Sequence, residues 1–141
     1  FTNYESGKAK DIASNPYVAL NFFWQELGLQ VRVGGIAEKT SREFSQSYFK
    51  TRSVFSRIGA IVSKQSEELA NYKEFKEQIQ ILEEKYRKEN IEVQCPKNWG
   101  GYVVKPLSIE FWQEGEHRFH KRLKYQRSNL QNPWQYKFLY P

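Results

Sequence analysis

Apolar and polar positions along this chain recur with periods that mark out most of its elements. In "LQVRVGGIAEK", Leu29, Val31 and Val33 alternate with Gln30 and Arg32, the period of a half-buried strand, and Gly34–Gly35 suits a bulge or bend. The preceding "YVALNFFW" is nearly all apolar and rich in strand formers. It predicts a strand buried on both faces, joined to the next by a turn around Glu26–Gly28. From Leu69 to Tyr86 the apolar positions Leu69, Tyr72, Phe75, Ile79, Leu82 and Tyr86 recur at three and four, with Glu84 and Lys88 paired on the polar side. That spacing predicts a long amphipathic helix.

Shorter helices are predicted in two places. "SGKAKDIASNP" offers Ser6 as an N-cap and a stop at Asn15–Pro16. "TSREFSQSYFKTR" has Thr40 three residues before Glu43, the spacing of a capping box, for a helix from about Ser41. After the loop "CPKNWGG", strands are predicted in "YVVKPL", "IEFWQ", "RFHKRLKYQR" and "WQYKFLY". Consecutive strands with short links and a few helices imply a mainly β fold, an antiparallel barrel or sheet with peripheral α-helices, in one domain over residues 1–141. The sequence opens directly on "FTNY", so the first strand is read as cut short and the chain as lacking an N-terminal segment.

The net charge of +6 points to an anionic partner: phosphate, nucleic acid or an acidic membrane surface. One cysteine, Cys95, excludes an internal disulfide, and two histidines without an acidic cluster at ligand spacing give no expectation of a metal site. No apolar run is long enough to cross a bilayer, so a soluble, cytoplasmic protein with no membrane partner is expected.

Three constellations carry candidate chemistry. In "FWQEGEHRFHKRLKYQ", a continuous strand would put Arg118, His120, Arg122 and Lys124 on one face, with Trp112 just upstream. Such a row suits a planar, oxygen-rich ligand, and it equally suits the solvated face of an edge strand. Tyr48, Arg52 and Ser56 would align on a helix that continued through all three, offering a phenol, a guanidinium and a hydroxyl to a phosphate, or simply a polar helix surface. Gln65 and Ser66 are small polar donors after "IGAIV", also readable as a plain turn, and Lys8 adds a cation near a helix start. No phosphate-binding glycine fingerprint or nucleophilic triad is present, so redox chemistry here would need a bound cofactor.

The ordered set "FTNYESGKAKDIASNP", "LGLQVRVGGIAEK", "SYFKTR", "IGAIVSKQS", "WGGYVVKPLSIEFWQ" and "HRFHKR" resembles the pyridoxine (pyridoxamine) 5′-phosphate oxidase family through nearly the whole chain. The resemblance implies a split β-barrel that forms a homodimer, with flavin mononucleotide (FMN) in clefts between subunits and no nucleic acid as partner. It places Phe1, Thr2, Lys8, Gln65 and Ser66 along the flavin phosphate and ribityl chain, and Gln30, Trp112 and Arg122 at the isoalloxazine ring. It places the substrate phosphate on Tyr48, Arg52 and Ser56, and gives Arg118 and His120 the catalytic task of holding the pyridine ring. The implied reaction oxidises pyridoxamine or pyridoxine 5′-phosphate to pyridoxal 5′-phosphate, passing a hydride to the flavin and then electrons to dioxygen, which leaves as hydrogen peroxide. A non-catalytic binder of flavin or pyridoxal phosphate with the same fold is the alternative, and the positive charge and aromatic content leave a nucleic-acid-binding domain as a third reading. The family usually has arginine where this chain has Gly7, aspartate at Lys121 and proline at Ser53.

Overall fold

The computed structural model describes all residues, 1–141. Two stretches of chain form each of two units: Phe1–Ser14 with Lys39–Tyr102, and Asn15–Glu38 with Val103–Pro141.

The first unit is built around helices. Strand β1 (Thr2–Asn3) leads into helix α1 (Gly7–Ser14), whose start is capped as expected, Ser6 Oγ accepting from Ala9 N at 3.4 Å. Helices α2 (Arg42–Thr51), α3 (Val54–Val62) and α4 (Tyr72–Lys88) follow, and β4 (Trp99–Gly100) pairs antiparallel with β1. Their apolar faces meet in a core of Phe49, Ile58, Ile79, Val93 and Trp99, flanked by Phe75, Leu82 and Tyr86. The three-and-four spacing of α4 is thereby accounted for from Phe75 onward. Leu69 falls outside that core because α4 begins only after Asn71, whose side chain accepts from the N–H groups of Lys73 and Glu74, and Tyr72, in the first turn of α4, is exposed. The cap of α2 is Ser41, which accepts from Phe44 N, and not Thr40. Thr40 instead shares a hydrogen bond with Ser45 Oγ and donates to the Gly101 carbonyl.

The second unit is a five-stranded sheet in the order β2 (Tyr17–Trp24), β3 (Leu29–Lys39), β5 (Tyr102–Gln113), β6 (Lys121–Gln126) and β7 (Gln135–Leu139). A short 3₁₀ turn, Gln25–Leu27, ends on Gly28 at φ 53° and reverses the chain between β2 and β3. β2 is not buried on both faces as its apolar run predicts. It is an edge strand, and Leu20, Phe22, Phe23 and Trp24 are all exposed. Nor do Gly34–Gly35 form a bulge against β2, since the pairing runs unbroken through Ala19↔Gly34 and Val18↔Gly35. The glycines serve the other side of β3: a Cβ on Gly35 would collide with the Lys105 carbonyl, and one on Gly34 would lie 2.8 Å from Ser108 Oγ.

Two predicted strands, "YVVKPL" and "IEFWQ", are one strand, β5. Pro106 is tolerated in it because pairing with β6 begins only at Ser108↔Gln126. The Pro106 carbonyl is taken by the Arg127 side chain, Nε at 3.0 Å and Nη2 at 2.8 Å. The predicted strand "RFHKRLKYQR" forms only from Lys121. Ahead of it, Glu116–Arg118 make a 3₁₀ turn in which His117 and Arg118 both have positive φ, 52° and 67°. Arg118 and His120 therefore lie in a loop, and the four-residue cationic row reduces to Arg122 and Lys124. No helix is long and apolar enough to cross a membrane.

Two substitutions test this packing. Gly35→Ala should destabilise the chain by about 1–3 kcal/mol through overpacking against β5, and Ile58→Ala by about 2–5 kcal/mol through a cavity in the helical core. Urea denaturation followed by circular dichroism reads both; a Gly35→Ala midpoint equal to wild type would mean that β3 and β5 are not so closely apposed.

Candidate functional site

Tyr48, Arg52 and Ser56 do not sit on one continued helix. Arg52 is the C-cap of α2, with extended backbone at ψ 152°, and Ser53 caps α3 by accepting from Ser56 N at 3.2 Å. The break still brings the three together, for all line one cavity of about 490 Å³ in the first unit, with Phe1, Thr2, Gln65 and Trp99. Ser53 holds φ −56°, which proline would also adopt, so this backbone accepts either residue. Its hydroxyl donates to Ser56 Oγ at 2.9 Å, which leaves the Ser56 proton for another acceptor.

The wall of this cavity is aromatic. Phe1 stacks on Tyr48 with centroids 3.8 Å apart and on Trp99 at 5.4 Å, and Phe49 meets Trp99 edge-on at 4.9 Å. The Arg52 guanidinium lies 5.0 Å over the Trp99 ring, an attraction that grows as water is excluded. Arg52 Nη1 is buried with no hydrogen-bond partner, an orphan donor in a cavity wall. Trp99 is itself fixed from behind, because the Arg42 guanidinium donates to the carbonyls of Cys95, Pro96 and Trp99. Neither Trp99 nor Arg42 figures among the residues singled out by sequence. The loop "CPKNWGG" showed only turn formers, and the carbonyls that Arg42 binds lie more than fifty residues away.

Phe1, Thr2, Lys8, Gln65 and Ser66 gather near the start of α1. Gln65 Oε1 accepts from Thr2 Oγ1 at 3.1 Å and from Asn3 N at 3.0 Å, so the amide N–H groups of Gln65 remain for a ligand. Thr2 Oγ1 and the buried Ser6 Oγ are 3.2 Å apart. Lys8 is exposed in the first turn of α1, which carries no acidic residue, and Ser66 lies beside Gly7. A Cβ at Gly7 would meet Ser66 Oγ at 3.7 Å, ordinary contact, so the position has room for a side chain.

Gln30, Trp112 and Arg122 lie on one face of the second unit's sheet. Trp112 and Arg122 are direct partners across β5 and β6. Gln30 shares its face of β3 with Arg32, and Arg32 reaches Glu110, which shares its face of β5 with Trp112. Glu110 is the residue the sequence reading missed: its Oε1 accepts from Arg32 Nη2 at 2.6 Å and from Arg122 Nε at 2.8 Å. The available signal was its place two residues before Trp112 in an alternating strand. Burial pushes the Glu110 carboxyl up, but the hydrogen bonds and charges of Arg122 and Arg32 outweigh it and hold the group below the ordinary value. Lys121 alternates to the opposite face from Arg122, so the carboxylate that orients Arg122 is Glu110, and the lysine departure does not touch it.

The loop 114–120 returns His120 to this face. Its ring lies 4.7 Å from that of Trp112, and its Nδ1 accepts from Gly115 N at 3.3 Å. With Nδ1 accepting, the neutral imidazole carries its proton on Nε2, which presents a donor. Arg118 is exposed at the turn, its carbonyl accepting from His120 N at 2.8 Å.

Comparison with known proteins agrees along the whole chain. Residues 1–86 match the family described as pyridoxamine 5′-phosphate oxidase, and residues 99–141 match the pyridoxine 5′-phosphate oxidase C-terminal dimerisation region. A probable pyridoxamine 5′-phosphate oxidase of Schizosaccharomyces pombe is 45% identical over 137 residues, 96% of this chain and 59% of that protein. The pyridoxamine 5′-phosphate oxidase of Saccharomyces cerevisiae is 46% identical over 129 residues, covering 92% and 56%. The chain thus spans a little under three-fifths of the length of these two relatives. Among solved structures, PhzG from Burkholderia lata 383, in complex with tetrahydrophenazine-1-carboxylic acid, superposes with a TM-score of 0.88 at 25% identity, over 99% of this chain and 66% of that one. A pyridoxamine 5′-phosphate oxidase-related, FMN-binding protein from Nostoc punctiforme PCC 73102 gives a TM-score of 0.70 at 14% identity, over 99% and 71%, a likeness of fold. The mainly β, split-barrel fold expected from the sequence is the one observed.

Two measurements probe the second unit's face. Because the Glu110 carboxyl is depressed, its pairing stabilises the fold above the ordinary glutamate value of 4.5 and is lost as the pH falls through the folded value. The gap in urea midpoint between wild type and Glu110→Gln should therefore be widest near neutrality and close only as the pH falls, below 4.5, through the folded value; a gap independent of pH would place the carboxylate outside the ion pairs. Nitrogen-15 spectra of ring-labelled histidine should find His120 as the Nε2–H tautomer, and an Nδ1–H form would break the proposed contact with Gly115.

Proposed function

The chain belongs to the pyridoxamine 5′-phosphate oxidase family, and from that premise we propose that it oxidises pyridoxamine or pyridoxine 5′-phosphate to pyridoxal 5′-phosphate. Dioxygen is the acceptor and leaves as hydrogen peroxide; oxidation of the amine also consumes one water, which supplies the aldehyde oxygen, and releases ammonia. The observation that carries this reading is the cavity of Tyr48, Arg52 and Ser56, where a buried guanidinium nitrogen lacks an acceptor and a phosphate oxygen would supply one. Tyr48 and Ser56 add hydroxyl donors to the same anion. The aromatic stack of Phe1, Tyr48 and Trp99 holds the wall rigid, so the phosphate group serves as the handle by which the substrate is positioned.

The donor sets present also fit FMN, which when bound supplies the two-electron oxidation. Lys8, Ser66 and Gln65, the last held in place by Thr2 and with Phe1 beside them, offer a cation, a hydroxyl and free amide hydrogens to its phosphate and ribityl chain. Gln30, Trp112 and Arg122 offer the ring an amide, a flat apolar surface and a guanidinium on one sheet face. Arg118 and the Nε2–H of His120 then hold the oxygen-bearing pyridine ring, fixing the carbon that is to be oxidised. A second copy of the chain is the proposed cover for the exposed aromatic residues of the sheet, among them Phe22, Phe23, Tyr136 and Phe138, in keeping with the dimerisation region matched at residues 99–141.

Peroxide formation with pyridoxamine 5′-phosphate tests the activity against a binder that does not turn over. Arg52→Ala should raise KM for the phosphorylated amine more than tenfold, since a charge-assisted hydrogen bond contributes about 1.5–3 kcal/mol. The dephosphorylated amine should lose far less, and equal losses for both compounds would move the phosphate away from Arg52.

A further inference from the structure

The sheet face that carries Gln30, Trp112 and Arg122 holds one buried charge, Glu110. Glu110 is 8% exposed, and a single oxygen, Oε1, accepts from both Arg32 and Arg122. Arg122 is held a second time, Nη1 donating to the Tyr140 carbonyl at 3.0 Å. With Nε and Nη1 engaged on fixed partners, the guanidinium plane is set and Nη2 is the nitrogen left for a ligand. Lys124, the partner of Glu110 across β5 and β6, shares the face with Arg122. Glu110 is thus the one carboxylate set among Arg32, Arg122 and Lys124.

We infer that Glu110 is a positioning residue for the cofactor face, orienting Arg122 and cancelling one of the positive charges that a bound flavin ring meets. The inference rests on the flavin reading of Gln30, Trp112 and Arg122. Reduced flavin carries more negative charge than oxidised flavin, so the net charge of this face biases the balance between the two forms. Removing the carboxylate favours the reduced form, and removing Arg32 while the carboxylate stays favours the oxidised form. A residue that merely braced the strands would not give shifts of opposite sign.

The test is the reduction potential of FMN bound to the full chain, measured by equilibration with a reference dye. Glu110→Gln should bind reduced flavin about tenfold more tightly relative to oxidised flavin, a shift of about 30 mV to more positive potential for two electrons. Arg32→Gln should shift it the other way. Shifts absent in both, or of the same sign, overturn the inference. If Glu110→Gln fails to fold, Arg32→Gln decides alone: a negative shift supports the role and no shift removes it. Wild-type chain that takes up no FMN would sink the flavin reading itself, a result seen before any substitution is made.

Discussion

The sheet of the second unit depends on one buried carboxylate shared by two guanidinium groups. Withdrawing Glu110 from water is costly, and the cost is offset only while Arg32 on β3 and Arg122 on β6 both reach the same oxygen. A shift of β3 or β6 by one residue would turn its arginine to the other face and leave the charge unpaired. The ion triad therefore fixes which side chains of three strands share a surface, and Gln30 and Trp112 come to that surface as a consequence. The nearby Gly34 and Gly35 add a steric condition, admitting β5 where any larger residue would hold it off.

In the first unit the corresponding constraint is the indole of Trp99. It is packed by Phe49 on its edge, Phe1 on its face and the Arg52 guanidinium above, while Arg42 secures the backbone that carries it. The same ring closes the helical core and forms a wall of the cavity. Stability and ligand geometry are coupled there: a change that loosens the core also displaces the guanidinium.

Elements with a single dominant period were legible from sequence. The α4 helix followed from its apolar spacing, α1 from Ser6 and its Asn–Pro stop, and β3 from strict alternation. Failures came where a distant partner decides the outcome. The run "YVALNFFW" is apolar enough for a buried strand, but burial depends on what lies against it, and within one chain nothing does. Alternation in "RFHKRLKYQR" implied a longer strand than forms, because consecutive left-handed residues at His117 and Arg118 are not encoded by any glycine there. The Tyr48, Arg52 and Ser56 set was grouped on the wrong geometry, a continuous helix, yet the break at Ser53 leaves all three on one cavity. Glu110 was invisible because its significance lies in two partners on other strands.

The open edge of β2 has a consequence for the life of the chain before it reaches any ligand. One side of that strand presents unpaired backbone N–H and C=O groups flanked by Leu20, Phe22, Phe23 and Trp24, with no proline within it and no lysine to repel a neighbour. Any extended peptide that meets this edge can add to the sheet. Until that edge is covered, pairing between copies at β2 competes with folding.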